Sequence, residues 1–454
     1  MNSQSSHVDV VVVGAGFAGL TVARTLTKAG VSVVVLEADD RVGGRTMPGR
    51  VAEQVVDLGG QWVGPDQLHL LALAEELGVR TIPQYLEGEH ILDIAGRQAR
   101  HTEDQDLPLQ PADLAEFDKV TAELDALTAK TDVAAPWNIE GAGALDGQTF
   151  ETWLRGATES AAARSVYRQF VKTLFCVEPG QVSVLTFLQY AAGSHGVIHM
   201  MSSRGGSQDS IFEGGVWQLA GKMAQELGDA VVINAPVRSI AQTSDEVTVT
   251  SDAGVWTANL AVVTAAPPMA ARISYTPALS ALRDGLTQRM PMGSVIKLHV
   301  AYATPFWRAQ GLSGQIISDR TVTGPWFDRS FPGVETGCLV GFFVAGPAQA
   351  WADRSPEDRR ARALEDLTTY LGPEANAPID YVERVWPAAP WQRGGYTTAA
   401  GPGVLTAFGP ALRGPAGRVH WAGTETADVT PGYINGAIQS GKRAAADCIE
   451  HLKP

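Results

Sequence analysis

Three glycines near the head of this chain have the spacing that phosphate recognition requires. Gly14, Gly16 and Gly19 stand in the order G-x-G-x-x-G. The first permits a tight turn, the second lets backbone approach a pyrophosphate, and the third lets a helix pack closely on a strand. Glu37 follows near the roughly 20-residue offset at which an acid bonds a ribose hydroxyl. The free N–H groups and positive dipole end of a helix behind the glycines would hold a diphosphate. The chemistry this pattern supports is dinucleotide binding.

Such residues need a strand, a helix and a second strand to place them. Val10 to Val13 is a continuous β-branched run, as a buried parallel strand demands. Thr21 to Ala29 reads as the helix with Gly30 as its stop, and Ser32 to Leu36 as the second strand, ending at Glu37. This motif alone does not separate NAD from FAD. The continuation Arg41-Val42-Gly43-Gly44-Arg45-Thr46 adds a second glycine turn and two arginines on the phosphate side. In Val56 to Pro65, glycines crowd around Asp57 and Trp62, and paired glycines let backbone press against a flat ring.

At 454 residues the chain is long enough for two domains. A net charge of −14, with no basic block, argues against nucleic acid. Cys176, Cys338 and Cys448 form neither a disulfide framework nor a metal spacing, which suits a reducing compartment. The nine histidines are scattered and no metal site is expected. The polar start MNSQSSH has no signal-peptide pattern, and no run of about 18 apolar residues suggests a membrane span. A cytoplasmic location is expected.

From about Gln84 to Ser203 the pattern turns helical, with helices at Ala112–Thr131 and Ala161–Leu174, a loop at Ala134–Gln148 and a buried helix at Val182–Ala192. Glycine pairs at Gly205-Gly206 and Gly214-Gly215 mark a return to alternating strands and helices. Val295–Ala301, Gly314–Ser318, Gly337–Val344 and Tyr381–Trp386 read as a second sheet that walls a pocket, with a helix at Pro356–Leu371. Val419–Trp421 leads through Ala422-Gly423-Thr424-Glu425 to a final helix near Tyr433–Leu452.

Taken in order, the fingerprint through GGRT, DLGGQWVGP, Gly214-Gly215, GSVIK, RGGYTT, HWAGTETA and PGYINGA make the chain resemble the flavin-containing monoamine oxidase family over nearly its full length. The resemblance implies an α/β fold: a glutathione-reductase-like FAD-binding domain of discontinuous segments plus a substrate domain of mixed sheet and helices. The expected division gives 1–83, 204–288 and 401–454 to the FAD domain, with 84–203 as a helical insert and 289–400 as a sheet for the substrate domain. It also implies oxidation of an amine to an imine by hydride transfer to flavin N5, with dioxygen reduced to hydrogen peroxide. By position, Gly14, Gly16, Gly19, Glu37, Arg45, Gly60, Gln61, Trp62, Val237, Gly423, Thr424 and Glu425 would meet FAD. Lys297 matches the lysine that reaches the flavin through a water; read without the resemblance, a lone lysine in SVIKLHV is a snorkelling side chain. Tyr396 and Tyr433 match the tyrosine pair that flanks the amine. Trp386 keeps the family spacing before Gly395 and joins the cofactor contacts. Met200 reads equally as cavity lining or as ordinary apolar filling.

Two departures qualify the match. Gly395 replaces the cysteine that many members bond to the flavin, so FAD is expected to be held non-covalently. Thr430-Pro431 stands before Gly432-Tyr433, where an aromatic is common. The C-terminal membrane tail of some members is not expected either. Rival readings are an amino-acid oxidase, which needs an arginine clamp such as Arg204 or Arg393, a polyamine oxidase, and a flavin-binding scaffold without turnover. The substrate and the oligomeric state stay open, a homodimer being one assembly the reading allows.

Overall fold

The computed structural model describes residues 6–453. Most of the polar leader read from MNSQSSH therefore lies outside the described residues. Val10, Val11 and Val12 have no solvent exposure because the strand Ser6–Val13 runs inside a parallel sheet covered on both faces. Its neighbours are Val33–Leu36 on one edge and Gly254–Val263 on the other, both parallel, with Val231–Val232 beyond the first. Gly254–Val263 divides its far edge. Its first half pairs antiparallel with Val247–Ser251, and its last residues pair parallel with Val419–Trp421. Val237–Gln242 and Ser274–Thr276 complete this sheet. One face packs on the helices Phe17–Lys28, Trp217–Leu227 and Ile434–His451, through Val12, Leu20, Leu26, Leu219, Leu260 and Ile438.

The second sheet has the strand order Asp380–Val385, Val295–Tyr302, Gly337–Val344, Trp326–Asp328, Leu312–Ser318, Glu89–Ile94, Arg97–His101. Its last two strands correct the purely helical reading of 84–203: that segment opens with a hairpin. His90, Asp93 and their apolar neighbours are all buried, so no alternation marks the strand in the sequence. Beyond it the insert is helical, at Pro111–Thr128, Phe150–Ala157, Ala161–Phe175, Val184–Gly193 and Val197–Met201. The loop read at Ala134–Gln148 carries a single 3-10 turn, Pro136–Asn138, and a short helix, Ala142–Asp146. Ser183 caps the buried helix by accepting the Thr186 N–H, which fixes its start.

The strand Val295–Tyr302 is buried along its whole length. Ile296, Leu298 and Val300 join an apolar core on one face. Lys297 and His299 alternate with them and point to the other face, which the hairpin Pro48–Val51 with Gln54–Asp57 covers.

Candidate active site

A continuous cavity of about 870 Å³ lies between the two sheets. At one end it is walled by Gly14, Gly16, Glu37 and Val237, at its centre by Gly60, Gln61, Trp62, Lys297, Tyr396 and Tyr433, and it reaches into the helical insert. Arg45, Met200, Trp386, Gly423 and Thr424 also line it. Gly19 and Glu425, singled out from the sequence, do not.

Each of those two acts through a neighbour. A Cβ on Gly19 would lie 1.9 Å from the Gly14 carbonyl oxygen, so only glycine lets this helix sit so close to the turn. Gly14 itself holds φ +102°, which side-chain-bearing residues rarely adopt. Behind the cavity wall, the buried Glu425 carboxylate accepts both arms of Arg45, at 2.5 and 3.1 Å. Burial pushes Glu425 up, but Arg45 more than offsets it and holds the carboxyl below its ordinary range.

At the fingerprint end, Phe17–Lys28 starts at Gly16 with no side chain capping its first turn. Its first N–H groups are available to an anion. Glu37 closes the turn by accepting the Ala15 N–H at 2.6 Å and the Asp39 N–H at 2.9 Å. Burial raises its pKa, against the pull of those two N–H donors.

At the centre, the Lys297 Nζ donates to the Gly59 carbonyl at 2.7 Å and to the Gln61 side-chain carbonyl. It lies 5.4 Å from the Trp62 ring centroid and 5.8 Å from that of Phe342. Burial pushes the amine down to about 7, Asp57 pulling the other way and Arg329 adding to the fall. Trp62, Phe327, Phe342 and Tyr396 form one aromatic wall, with edge-on contacts of 5.3 Å for Trp62–Phe327 and 6.1 Å for Phe342–Tyr396. Phe327 and Phe342 escaped the sequence reading. Each alternates onto the cavity face of its strand, a period-2 signal hidden by the apolar residues on the opposite face. The Trp386 indole donates to the Leu58 carbonyl at 2.9 Å and buttresses that wall. Tyr433 opens the helix Ile434–His451; the Thr424 hydroxyl donates to its carbonyl at 2.7 Å, and its own buried hydroxyl lies beside the Ser194 and Ser207 side chains.

The suspected arginines are elsewhere. Arg204 pairs with Asp104 on the surface at 2.7 Å, Arg393 is exposed, and neither lines the cavity.

A profile described as flavin containing amine oxidoreductase matches residues 17–449. The chain belongs to this family. A probable flavin-containing monoamine oxidase A of Dictyostelium discoideum is 37% identical over 452 residues, covering 99% of each chain. An L-amino acid dehydrogenase of Synechocystis is 34% identical, over 98% of this chain and 95% of that one. Among solved structures, a wild-type putrescine oxidase bound to putrescine superposes with a TM-score of 0.94 at 35% identity, covering 98% of this chain and 100% of that chain. The flavin-containing amine oxidase is thus an FAD enzyme that oxidises small amines with dioxygen, and its fold is that of the amine oxidases. Among the described residues, no helix is long and apolar enough to cross a membrane.

Proposed function

We propose that this enzyme oxidises amines that carry no α-carboxylate, with FAD held non-covalently. The single observation behind this reading is the cavity itself. It runs from the fingerprint glycines past Lys297, Tyr396 and Tyr433 into an insert that contributes Phe117, Val166, Phe170 and Leu174 but no lysine or arginine. A substrate carboxylate would be buried there without a clamp.

FAD fits the residues present. The uncapped helix start suits a diphosphate, Glu37 a ribose, and the aromatic wall beside Gly60 a flat ring. Gly14, Gly16, Glu37, Arg45, Gly60, Gln61, Trp62, Val237, Trp386, Gly423 and Thr424 would hold it, with Gly19 and Glu425 shaping the wall from behind. None of the three cysteines lines the cavity, and Gly395 precedes Tyr396, which supports non-covalent binding. The division into cofactor segments 1–83, 204–288 and 401–454 and substrate segments 84–203 and 289–400 is supported by the shared sheets: strands of the first set build one, strands of the second the other.

Bound FAD supplies the two-electron acceptor and the route of those electrons to dioxygen. The protein selects and orients the neutral amine, whose nitrogen lone pair can drive electrons out through the α-carbon. Tyr396 and Tyr433 offer rings rather than a carboxylate, so no ion pair beside them locks the substrate as ammonium. The apolar insert residues exclude water from the α-carbon. Lys297, held by Gly59 and Gln61, keeps an amine donor at the centre of the site.

A second reading, oxidation of a diamine, has Glu103, Asp106 and Asp118 on the cavity wall in its favour. The Glu103 oxygens are already engaged by His90 at 2.9 Å and by the Arg204 N–H at 3.0 Å. Peroxide production from matched monoamines, diamines and α-carboxylated amines separates the readings. Turnover of the carboxylated member at the rate of its parent amine would refute the first.

A further inference from the structure

One side chain of the buried helix Val184–Gly193 touches both segments that carry the cavity tyrosines. Tyr190 is 5% exposed, lines the cavity and packs edge-on against Phe175, with ring centroids 4.7 Å apart. Its hydroxyl lies 2.8 Å from that of Thr397, the residue after Tyr396. Thr397 has a single hydroxyl proton, which it gives to the Glu425 carboxylate at 3.3 Å. A hydroxyl has one proton to give and a carboxylate only accepts, so Tyr190 is the donor to Thr397. That bond joins Tyr190 to the Arg45–Glu425 pair, whose arginine donates to the Tyr396 carbonyl at 2.9 Å.

The same ring meets the turn that carries Tyr433. A Cβ on Gly432, which holds φ +87°, would lie 2.5 Å from the Tyr190 Cε1 atom. Only glycine lets this turn come so close to the ring. One helical turn further on the fit is reversed: a Cβ on Gly193 would lie 2.5 Å from the Pro431 Cδ atom, and the Gly193 carbonyl accepts the Thr430 N–H at 3.0 Å. Thr430-Pro431 thereby fits the notch that Gly193 leaves. Thr430 sits at φ +41°, which strains a β-branched residue, and its hydroxyl accepts the Asn435 side-chain N–H at 2.8 Å. Such strain persists only where the surroundings over-determine it, so this turn is held against the helix.

We propose that Tyr190 is a positioning residue for both cavity tyrosines: its hydroxyl sets the segment of Tyr396 and its ring sets the turn of Tyr433. The consequence for catalysis rests on the reading that the two tyrosine rings flank the amine; the packing does not. One side chain thus fixes how the two rings face each other, and losing either contact costs orientation of the bound amine.

The test pairs Tyr190 variants with variants of each partner. Tyr190→Phe keeps the ring and loses the hydroxyl. In holoenzyme it should weaken about 5-fold the binding of an amine with no hydrogen on its α-carbon, read from the oxidised flavin band; that is the equivalent of one buried hydrogen bond. kcat/KM for an oxidisable amine should fall by the same factor at unchanged flavin content. Both effects should shrink below about 2-fold in the Tyr396→Ala background and persist in the Tyr433→Ala background. Undiminished effects with Tyr396→Ala overturn the proposal, as does a Tyr190→Phe variant that binds like wild type. Melting of the full chain without any amine tests the packing separately. Gly432→Ala should lower the melting temperature in the Tyr190→Ala background by roughly half as much as in wild type, or less, the φ cost being common to both. Tyr190→Phe and Thr397→Val should cost no more together than the larger does alone. Additive losses in either pair overturn the proposal. Failure of the amine-oxidase reading would show instead as no peroxide from any amine, and leaves the melting comparisons untouched.

Discussion

Arg45 grips the Glu425 carboxylate with both arms and donates to the Tyr396 carbonyl at 2.9 Å. One side chain from the N-terminal glycine turn thus ties together the C-terminal turn and the segment carrying a cavity tyrosine. The Glu425 side chain is 2% exposed and that of Arg45 25%, so the pair is largely desolvated. Removing one partner of such a pair strands the other.

Glu425→Gln should therefore destabilise the protein by about 3 kcal/mol and lower its flavin content. Arg45→Lys keeps a charge but loses the fork, and should show a smaller loss of the same kind. Thermal unfolding with the flavin-to-protein absorbance ratio checks both; a variant with wild-type melting and full flavin would remove the clamp from the picture.

Lys297 gives stability a pH dependence whose sign is fixed. Its folded pKa is lowered, so between about 7 and 10.5 the unfolded chain binds more protons than the folded one. Stability from this group must rise with pH through that window. Wild type should gain several degrees of melting temperature on Lys297→Met from the bottom of the window to the top. A flat difference would place the lysine's titration outside it.

The fingerprint, four of the second sheet's seven strands and the final helix were legible because each is a local pattern: glycine spacing, apolar runs, amphipathic period. The hairpin at Glu89–His101 was not, since its first strand is buried on both faces and carries His90 and Asp93 inside. Arg45 and Glu425 were each singled out, but their pairing spans 380 positions and no local signal announces it. Lys297 stood out in SVIKLHV as the lone cation.

Flavin should leave the protein completely on acid precipitation, because no cysteine reaches the cavity. The supernatant should carry all the yellow colour and the pellet none. Colour retained in the pellet would mean a covalent link through a residue other than cysteine.

The two tyrosines should matter as rings. Tyr396→Phe should retain kcat/KM within a few-fold, while Tyr396→Ala should lose about 10–30-fold, the equivalent of about 2 kcal/mol for one desolvated aromatic face. The same order is expected at Tyr433, read from steady-state rates with flavin content matched between variants. Equal losses for the Phe and Ala variants would shift the role to the hydroxyl.

The most direct measurement is anaerobic titration of the purified holoenzyme with primary, secondary and di-amines and with amino acids, watching the oxidised flavin band. An amine without a carboxylate should bleach the band stoichiometrically, and admitting air should restore it with one equivalent of peroxide. If amino acids alone bleach it, the site binds carboxylate and the proposed substrate class is wrong. If no amine bleaches a fully loaded flavin, the central claim, that this cavity oxidises amines, is contradicted.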